Sequence, residues 1–306
     1  MPVNKKTVIF MVGPTAIGKT EFALKLARRV KGEIISCDSM QVYKGMQILN
    51  QAPTPADTKE RYYLVKFLSP QKEFSVAAFI KKCSLLIDEL IKRKKVPIVA
   101  GGSGLYIKGL IDGLFPSPKA DIKFRKKMYG YAARYGSAKL HGKLKKIDAH
   151  SALSIHPNDT RRIVRALEIR HSTGKTMTEL KKATKGIRDK YDVKIFGFTA
   201  DREKIYSNIN NRVDDMFAAG VINEVKKLLK KRLSRTAKAV IGFKESLGYL
   251  KGEYDLKTAK ELMKRNTRRF AKRQLTWFRA DNRIKWFDVG RMNNSRIIKS
   301  IAKEIK

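Results

Sequence analysis

The apolar residues of this chain change rhythm along its length. Residues 7–12 (Thr-Val-Ile-Phe-Met-Val) form a short continuous apolar run of the kind a buried strand shows, and residues 21–27 (Glu-Phe-Ala-Leu-Lys-Leu-Ala) are apolar at helical spacing. Further strand patterns lie at 33–36, 96–100 and 193–198. Residues 74–94 read as a helix with Phe79, Leu86, Ile87 and Leu90 as its apolar stripe. Residues 59–69 are irregular and carry two tyrosines, whereas 122–135, 138–147, 160–171 and most of 203–231 are helical in pattern. Asn158 and Asp159 can cap the helix that follows them, and Gly174 can end it. Strands alternating with helices predict an α/β fold.

Between the first strand and helix stands Gly13-Pro14-Thr15-Ala16-Ile17-Gly18-Lys19-Thr20, which fits G-x-x-x-x-G-K-[ST] in the strand–loop–helix setting that motif requires. Two glycines let backbone N–H groups close around a polyphosphate, and the helix N-terminus adds a favourable dipole. Lys19 would bridge phosphate oxygens, and Thr20 would offer its hydroxyl to Mg²⁺. The expected fold is therefore a P-loop NTPase-like parallel sheet flanked by helices. From Pro116 to about 196 the character changes to basic helical segments without repeats. Pro116-Ser117-Pro118 reads as a hinge, 116–196 as an all-helical insertion domain, and 1–115 with 197–306 as the core.

Asp38 ends the second strand pattern, on the rim where ligands bind in open parallel sheets. It is either a site acid or a turn and N-cap aspartate. The strand at 96–100 runs into Gly101-Gly102-Ser103-Gly104-Leu105-Tyr106, where motor-type P-loop ATPases carry a Mg²⁺-binding aspartate. Glycines there suggest a backbone approached closely by a ligand.

Charge enters next. With 68 Lys and Arg against 28 Asp and Glu, the formal charge is +40. Such a surplus favours a polyanionic partner, nucleic acid ahead of an anionic membrane surface, unless a lysine-rich proteome accounts for it. The excess concentrates in residues 264–285, where nine Lys and Arg face one acid, Asp281, with Phe270, Trp277 and Phe278 interleaved. Arg265, Arg268, Arg269 and Lys272 share one helical face there. Cys37 and Cys83 are too few for a disulfide framework, and the four histidines show no ligand pairing. No signal peptide or membrane span is expected, so the protein is expected in the cytoplasm. Nothing in the chain requires a partner subunit, and a monomer is expected.

Five stretches carry a resemblance, in order: Gly13 to Thr20; Asp38-Ser39-Met40-Gln41-Val42-Tyr43-Lys44-Gly45-Met46; Gly101 to Tyr106; His156-Pro157-Asn158-Asp159 through Arg161 and Arg162 to Arg165-Ala166-Leu167-Glu168; and Thr267-Arg268-Arg269-Phe270-Ala271-Lys272-Arg273-Gln274-Leu275-Thr276-Trp277. From about residue 6 to about 288 the chain resembles the bacterial tRNA dimethylallyltransferases, the IPP transferase family. The resemblance implies a loop that grips the diphosphate of dimethylallyl diphosphate instead of ATP, Mg²⁺ as cofactor, and prenyl transfer to N6 of adenosine 37 in tRNA. It implies Asp38 as general base, Ser103 orienting the amine or the acid, and Lys19 and Arg212 on the diphosphate. RNA contacts would come from Asp38, Ser39, Met40, Gln41, Ser103, Arg125, Arg161, Arg162, Arg165, residues 239–244 including Lys244, and residues 267–274 including Arg268, Arg269, Lys272 and Arg273. The insertion would help clamp the anticodon stem-loop. Ser103 replaces a usual Thr, Arg61-Tyr62-Tyr63-Leu64 replaces a His-containing stretch, and Gln51-Ala52-Pro53 replaces a more usual Ala-Lys-Pro. Two other readings use the same residues: a small-molecule P-loop kinase using ATP, and a nucleic-acid-binding protein without catalysis.

Overall fold

The computed structural model describes residues 5–53, 61–115 and 118–305. Pro116 and Ser117 of the expected hinge lie outside the described residues, as do Lys59 and Glu60 of the stretch expected to be irregular. The chain separates into two compact units, one of Met1–Ile111 with Ile187–Lys306 and one of Asp112–Gly186.

The elements run β1 (Thr7–Val12), α1 (Lys19–Val30), β2 (Gly32–Cys37), the single-turn α2 (Gln47–Asn50), β3 (Tyr62–Tyr63), α3 (Val76–Lys92), β4 (Val96–Gly101) and α4 (Gly104–Asp112). The second unit then holds α5 (Ile122–Tyr135), α6 (Ser137–Ile147), α7 (Ala149–Ser154), α8 (Thr160–Thr173) and α9 (Met177–Lys182). The first unit resumes with β5 (Asp192–Thr199), α10 (Arg202–Ala218), α11 (Val221–Leu229), α12 (Phe243–Leu250), α13 (Leu256–Arg279), β6 (Ile284–Asp288) and α14 (Asn294–Lys303).

Six parallel strands lie in the order β3-β2-β4-β1-β5-β6. Val8, Phe10 and Val12 enter one core while Ile9 and Met11 enter the other. Burial on both faces is why β1 reads as a continuous apolar run and not an alternation. Phe79, Cys83, Ile87 and Leu90 of α3 pack the first face, and Phe22, Ala23, Leu26 and Ala27 of α1 pack the second. This sandwich fixes the carboxyl ends of β1, β2 and β4 side by side, with Val12 and Cys37 both registered to Gly101.

The sheet departs from the sequence reading in three places. Tyr62 and Tyr63 form an edge strand against Ile34 and Ile35. The Tyr63 hydroxyl donates to Glu33 Oε2 at 2.6 Å, and Arg93 donates to Glu33 Oε1 at 2.9 Å. A pair of side-chain anchors makes the strand, which is too short to show a period. The basic stretch at 264–285 is not helical throughout, because α13 ends at Arg279 and Asp281 accepts the Arg283 amide at 3.1 Å before Ile284 and Phe287 bury themselves in β6. Finally, β5 begins at Asp192 and the helical unit closes at Gly186, before the boundary expected at 196.

The second unit has its own core of Leu140, Leu144, Ile163, Val164 and Leu167. Asp159 caps α8 by accepting the Arg162 amide at 3.1 Å, and Gly174 at φ 69 ends it. Beside that core Glu168 is fully buried. Among the described residues no helix is long and apolar enough to cross a membrane.

Candidate diphosphate and acceptor site

The loop after β1 turns on residues with positive φ. Gly13 sits at φ 148, where a Cβ would lie 2.7 Å from the Phe198 carbonyl oxygen, and Gly18 at φ 88 leads into α1. Ala16 also has positive φ, 62. Such a turn points successive amides inward as an anion nest, and the unpaired first-turn N–H groups of α1 add to it.

Three side chains from distant elements hold this loop. Asn208 Nδ2 donates to Ala16 O at 3.1 Å and Arg212 Nη1 donates to Thr15 Oγ1 at 3.2 Å, both from α10. Gln274 Oε1 on α13 accepts the Thr15 amide at 2.9 Å. Lys19 Nζ folds over the loop to donate to Pro14 O at 2.6 Å. Asn208 and Arg212 are four apart on one helix face, a spacing visible in the sequence but not used there.

A cavity of about 340 Å³ opens over the loop, lined by Thr15, Lys19, Thr20, Asn208 and Arg212 together with Asp38, Gln41, Asn50, Tyr62, Gly101, Gly102 and Gln274. Asp38 Oδ1 accepts the Met40 amide at 2.8 Å, so the turn-aspartate reading and the site reading hold together. That turn uses one carboxylate oxygen. Ser103 Oγ accepts the Ser39 amide at 3.1 Å, and Ser103 N donates to Cys37 O at 3.3 Å. Ser103 therefore braces the loop that carries Asp38, and it is not among the cavity-lining residues. Ser36 Oγ donates to Gln41 Oε1 at 2.7 Å, which orders the next turn of the same wall. Tyr62 shares the cavity wall with Thr20, and burial pushes its phenol above the ordinary range.

The glycines after β4 are closely packed against protein. A Cβ on Gly101 would lie 2.1 Å from Cys37 O, one on Gly102 2.1 Å from Gln274 Nε2, and one on Gly104 2.3 Å from Trp277 Cδ1. Parallel strand ends and an incoming helix therefore leave no room for side chains here, and the bare backbone of Gly101 and Gly102 lines the cavity.

Electrostatically the cavity is set for an anion. Burial lowers Lys19 to about 8, a change that Asp38 opposes and Arg212 reinforces. Burial also pushes the Arg212 guanidinium down, against the pull of Asp38. Two partly desolvated cations beside a glycine loop gain most from a polyanion.

The remaining residues assigned by resemblance fall in several environments. Arg125 and Arg165 lie on Glu168: Arg125 donates from Nε and Nη2 at 2.8 and 2.9 Å, and Arg165 donates from Nη1. Arg161 and Arg162 are exposed on α8, and Arg162 lies 3.4 Å from Asp159. Arg269, Lys272 and Arg273 are exposed on α13, Arg268 donates to Asn210 Oδ1 at 2.7 Å, and Lys244 is exposed on α12. Ser39 and Met40 sit half-buried beside Asp38. Asn50 and Tyr62 were missed as site residues, since neither carries a local signal of its own.

A parallel sheet whose first strand feeds this loop, with Lys19 and Arg212 beside it, defines a P-loop NTPase-like protein with a candidate anion site. The family model described as IPP transferase matches residues 41–281. The tRNA dimethylallyltransferase of Halothermothrix orenii is 47% identical over 98% of this chain and 93% of its own length, and that of Carboxydothermus hydrogenoformans is 45% identical over 97% and 96%. The crystal structure of a tRNA isopentenylpyrophosphate transferase from Bacillus halodurans superposes with a TM-score of 0.73 at 38% identity, covering 99% of this chain and 97% of that one. A eukaryotic dimethylallyltransferase acting on tRNA superposes with a TM-score of 0.79 at 28% identity, over 98% of this chain and 79% of its own. The chain belongs to the IPP transferase family.

Proposed function

We infer that this member of the family transfers the dimethylallyl group of dimethylallyl diphosphate to N6 of adenosine 37 in tRNA and releases diphosphate. The observation that carries this is that Lys19 and Arg212, both bonded to the loop, line one cavity with Asp38. Relatives named tRNA dimethylallyltransferase over almost the whole chain support it.

In this reading the allylic carbon–oxygen bond breaks as the N6 lone pair forms the new carbon–nitrogen bond. Charge grows on the leaving diphosphate, and the loop amides, Lys19 and Arg212 stabilise it where it develops. The N6 amine is a weak nucleophile because its lone pair is conjugated with the ring, so it must shed a proton as it alkylates. Asp38 accepts that proton. Ser103 keeps the Asp38 loop in register through the Ser39 amide.

The donor set suits Mg²⁺ acting with the diphosphate. Thr20 and Asp38 line the cavity, and among the described residues there is no group of three His, Cys, Asp or Glu able to hold a metal alone. Magnesium takes few protein ligands and completes its shell with water and phosphate oxygens. The Thr20 hydroxyl would hold it through an oxygen lone pair. When bound, the ion neutralises charge on the diphosphate.

The RNA partner is read as the anticodon stem-loop, met by the exposed basic residues of α8 and α13, and the enzyme as a cytoplasmic monomer. Incubation with unmodified tRNA, Mg²⁺ and labelled dimethylallyl diphosphate tests the reading: label is expected in RNA at adenosine 37. Phosphoryl transfer from ATP without RNA labelling would support a kinase instead, and RNA binding with neither reaction would leave a passive module.

A further inference from the structure

Gln274 stands apart from its neighbours on α13. Arg269, Lys272 and Arg273 are exposed, whereas Gln274 is only 6% exposed and points into the first unit. Its Oε1 accepts the Thr15 amide at 2.9 Å, and its Nε2 donates to Gly102 O at 3.0 Å. One side-chain amide thus ties the loop after β1 to the loop after β4. The seat is shaped for it, since any side chain at Gly102 would collide with Nε2. Three residues on, Trp277 lies over Gly104 in the same manner.

Thr15 receives both of its fixing contacts from outside its own loop, Gln274 on the amide and Arg212 on the hydroxyl. A phosphate nest works only while its amides keep their directions, and the Thr15 peptide lies between the two glycines that make the turn. We propose that Gln274 is a positioning residue of the diphosphate site, holding the Thr15 peptide so that the remaining loop amides converge, and that it is not an RNA contact. The proposal rests on residues 13–20 holding diphosphate. It assigns the two faces of α13 different tasks, with RNA on the basic face and the diphosphate loop on the Gln274 side.

Gln274→Ala and Gly102→Ala test this in the full chain. The first removes the amide, and the second drives it out of its seat without removing it. Titration with inorganic diphosphate and Mg²⁺ by calorimetry, tRNA binding by fluorescence anisotropy, and KM for each substrate are measured, with thermal unfolding to confirm folded protein. Both variants are expected to weaken diphosphate binding and raise KM for dimethylallyl diphosphate about tenfold, with tRNA affinity within about twofold of the parent. Unchanged diphosphate affinity in both variants overturns the proposal, as does a loss confined to tRNA binding. If Gln274→Ala does not fold, Gly102→Ala decides by the same measurements. Failure of the parent protein to bind diphosphate would instead remove the reading of the loop itself.

Discussion

Arg212 and Thr15 are 197 positions apart in the chain, yet Arg212 Nη1 donates to Thr15 Oγ1 at 3.2 Å. This hydrogen bond brings a half-buried guanidinium from α10 to the edge of the phosphate loop. Replacing Arg212 by Ala is expected to lower kcat/KM about a hundredfold and weaken diphosphate binding. Arg212→Lys should recover only part of this, because an ammonium cannot reproduce the guanidinium fork. Steady-state kinetics with varied dimethylallyl diphosphate checks both, and an unaffected Ala variant would detach Arg212 from the leaving group.

Asp38→Asn keeps an acceptor for the Met40 amide but loses the base. Turnover is expected to fall by about two to four orders of magnitude while diphosphate affinity stays unchanged. Single-turnover transfer and calorimetry separate the two effects. Turnover near the parent value would exclude Asp38 as base.

Lys19, lowered to about 8 by burial with Asp38 opposing, makes diphosphate binding pH-dependent. Below about pH 8 the ammonium is already charged, so Lys19 adds no further pH dependence there. Above it the free protein has lost the proton that the complex needs, so affinity should fall and binding should take up a proton. In the ligand-free protein the sign for stability is opposite: between about 8 and 10.5 the unfolded chain holds the extra proton, so this group adds stability as pH rises. Calorimetry in buffers of different ionisation heat counts the protons. Flat affinity up to about pH 10 would refute the assignment.

Glu168 secures the second unit. Burial alone would raise its carboxyl, but hydrogen bonds from Arg125 and Arg165 outweigh this and bring it to about 2. The stability it contributes is complete above about 4.5 and drains away as pH falls towards about 2. Glu168→Gln removes the charge that Arg125 and Arg165 share and should cost about 3 kcal/mol at neutral pH, read from urea unfolding of the full chain. A cost near zero would mean that the ion cluster is not holding α5 to α8.

Neutralising Lys272 and Arg273 together should weaken tRNA binding. The slope of log affinity against log salt should shrink by roughly one unit for each phosphate that the variant no longer neutralises. An unchanged slope would leave that face of α13 as ordinary solvated charge.

Much of the framework is determined by local sequence. A continuous apolar strand, a glycine turn and a helix start occupy adjacent residues, so residues 13–20, the parallel α/β fold and the rim position of Asp38 are readable without coordinates. The same holds for the caps at Asp159 and Gly174, which need only their own turn of helix. What lies around the loop is another matter. Gln274 reaches Thr15 across 259 positions, and nothing within a turn of α13 marks it off from its basic neighbours. That Gln274 and Trp277 occupy the space a Cβ on Gly102 or Gly104 would need is equally invisible in the local sequence. That Arg125 and Arg165 both lie on the buried Glu168 is not readable from the basic pattern either, since the contacts join α5 to α8. Side-chain period and turn chemistry act over a few residues, so they specify elements and their ends. Which distant side chain fills a seat, and which charge is already neutralised, depends on packing between elements, and only the tertiary structure decides it.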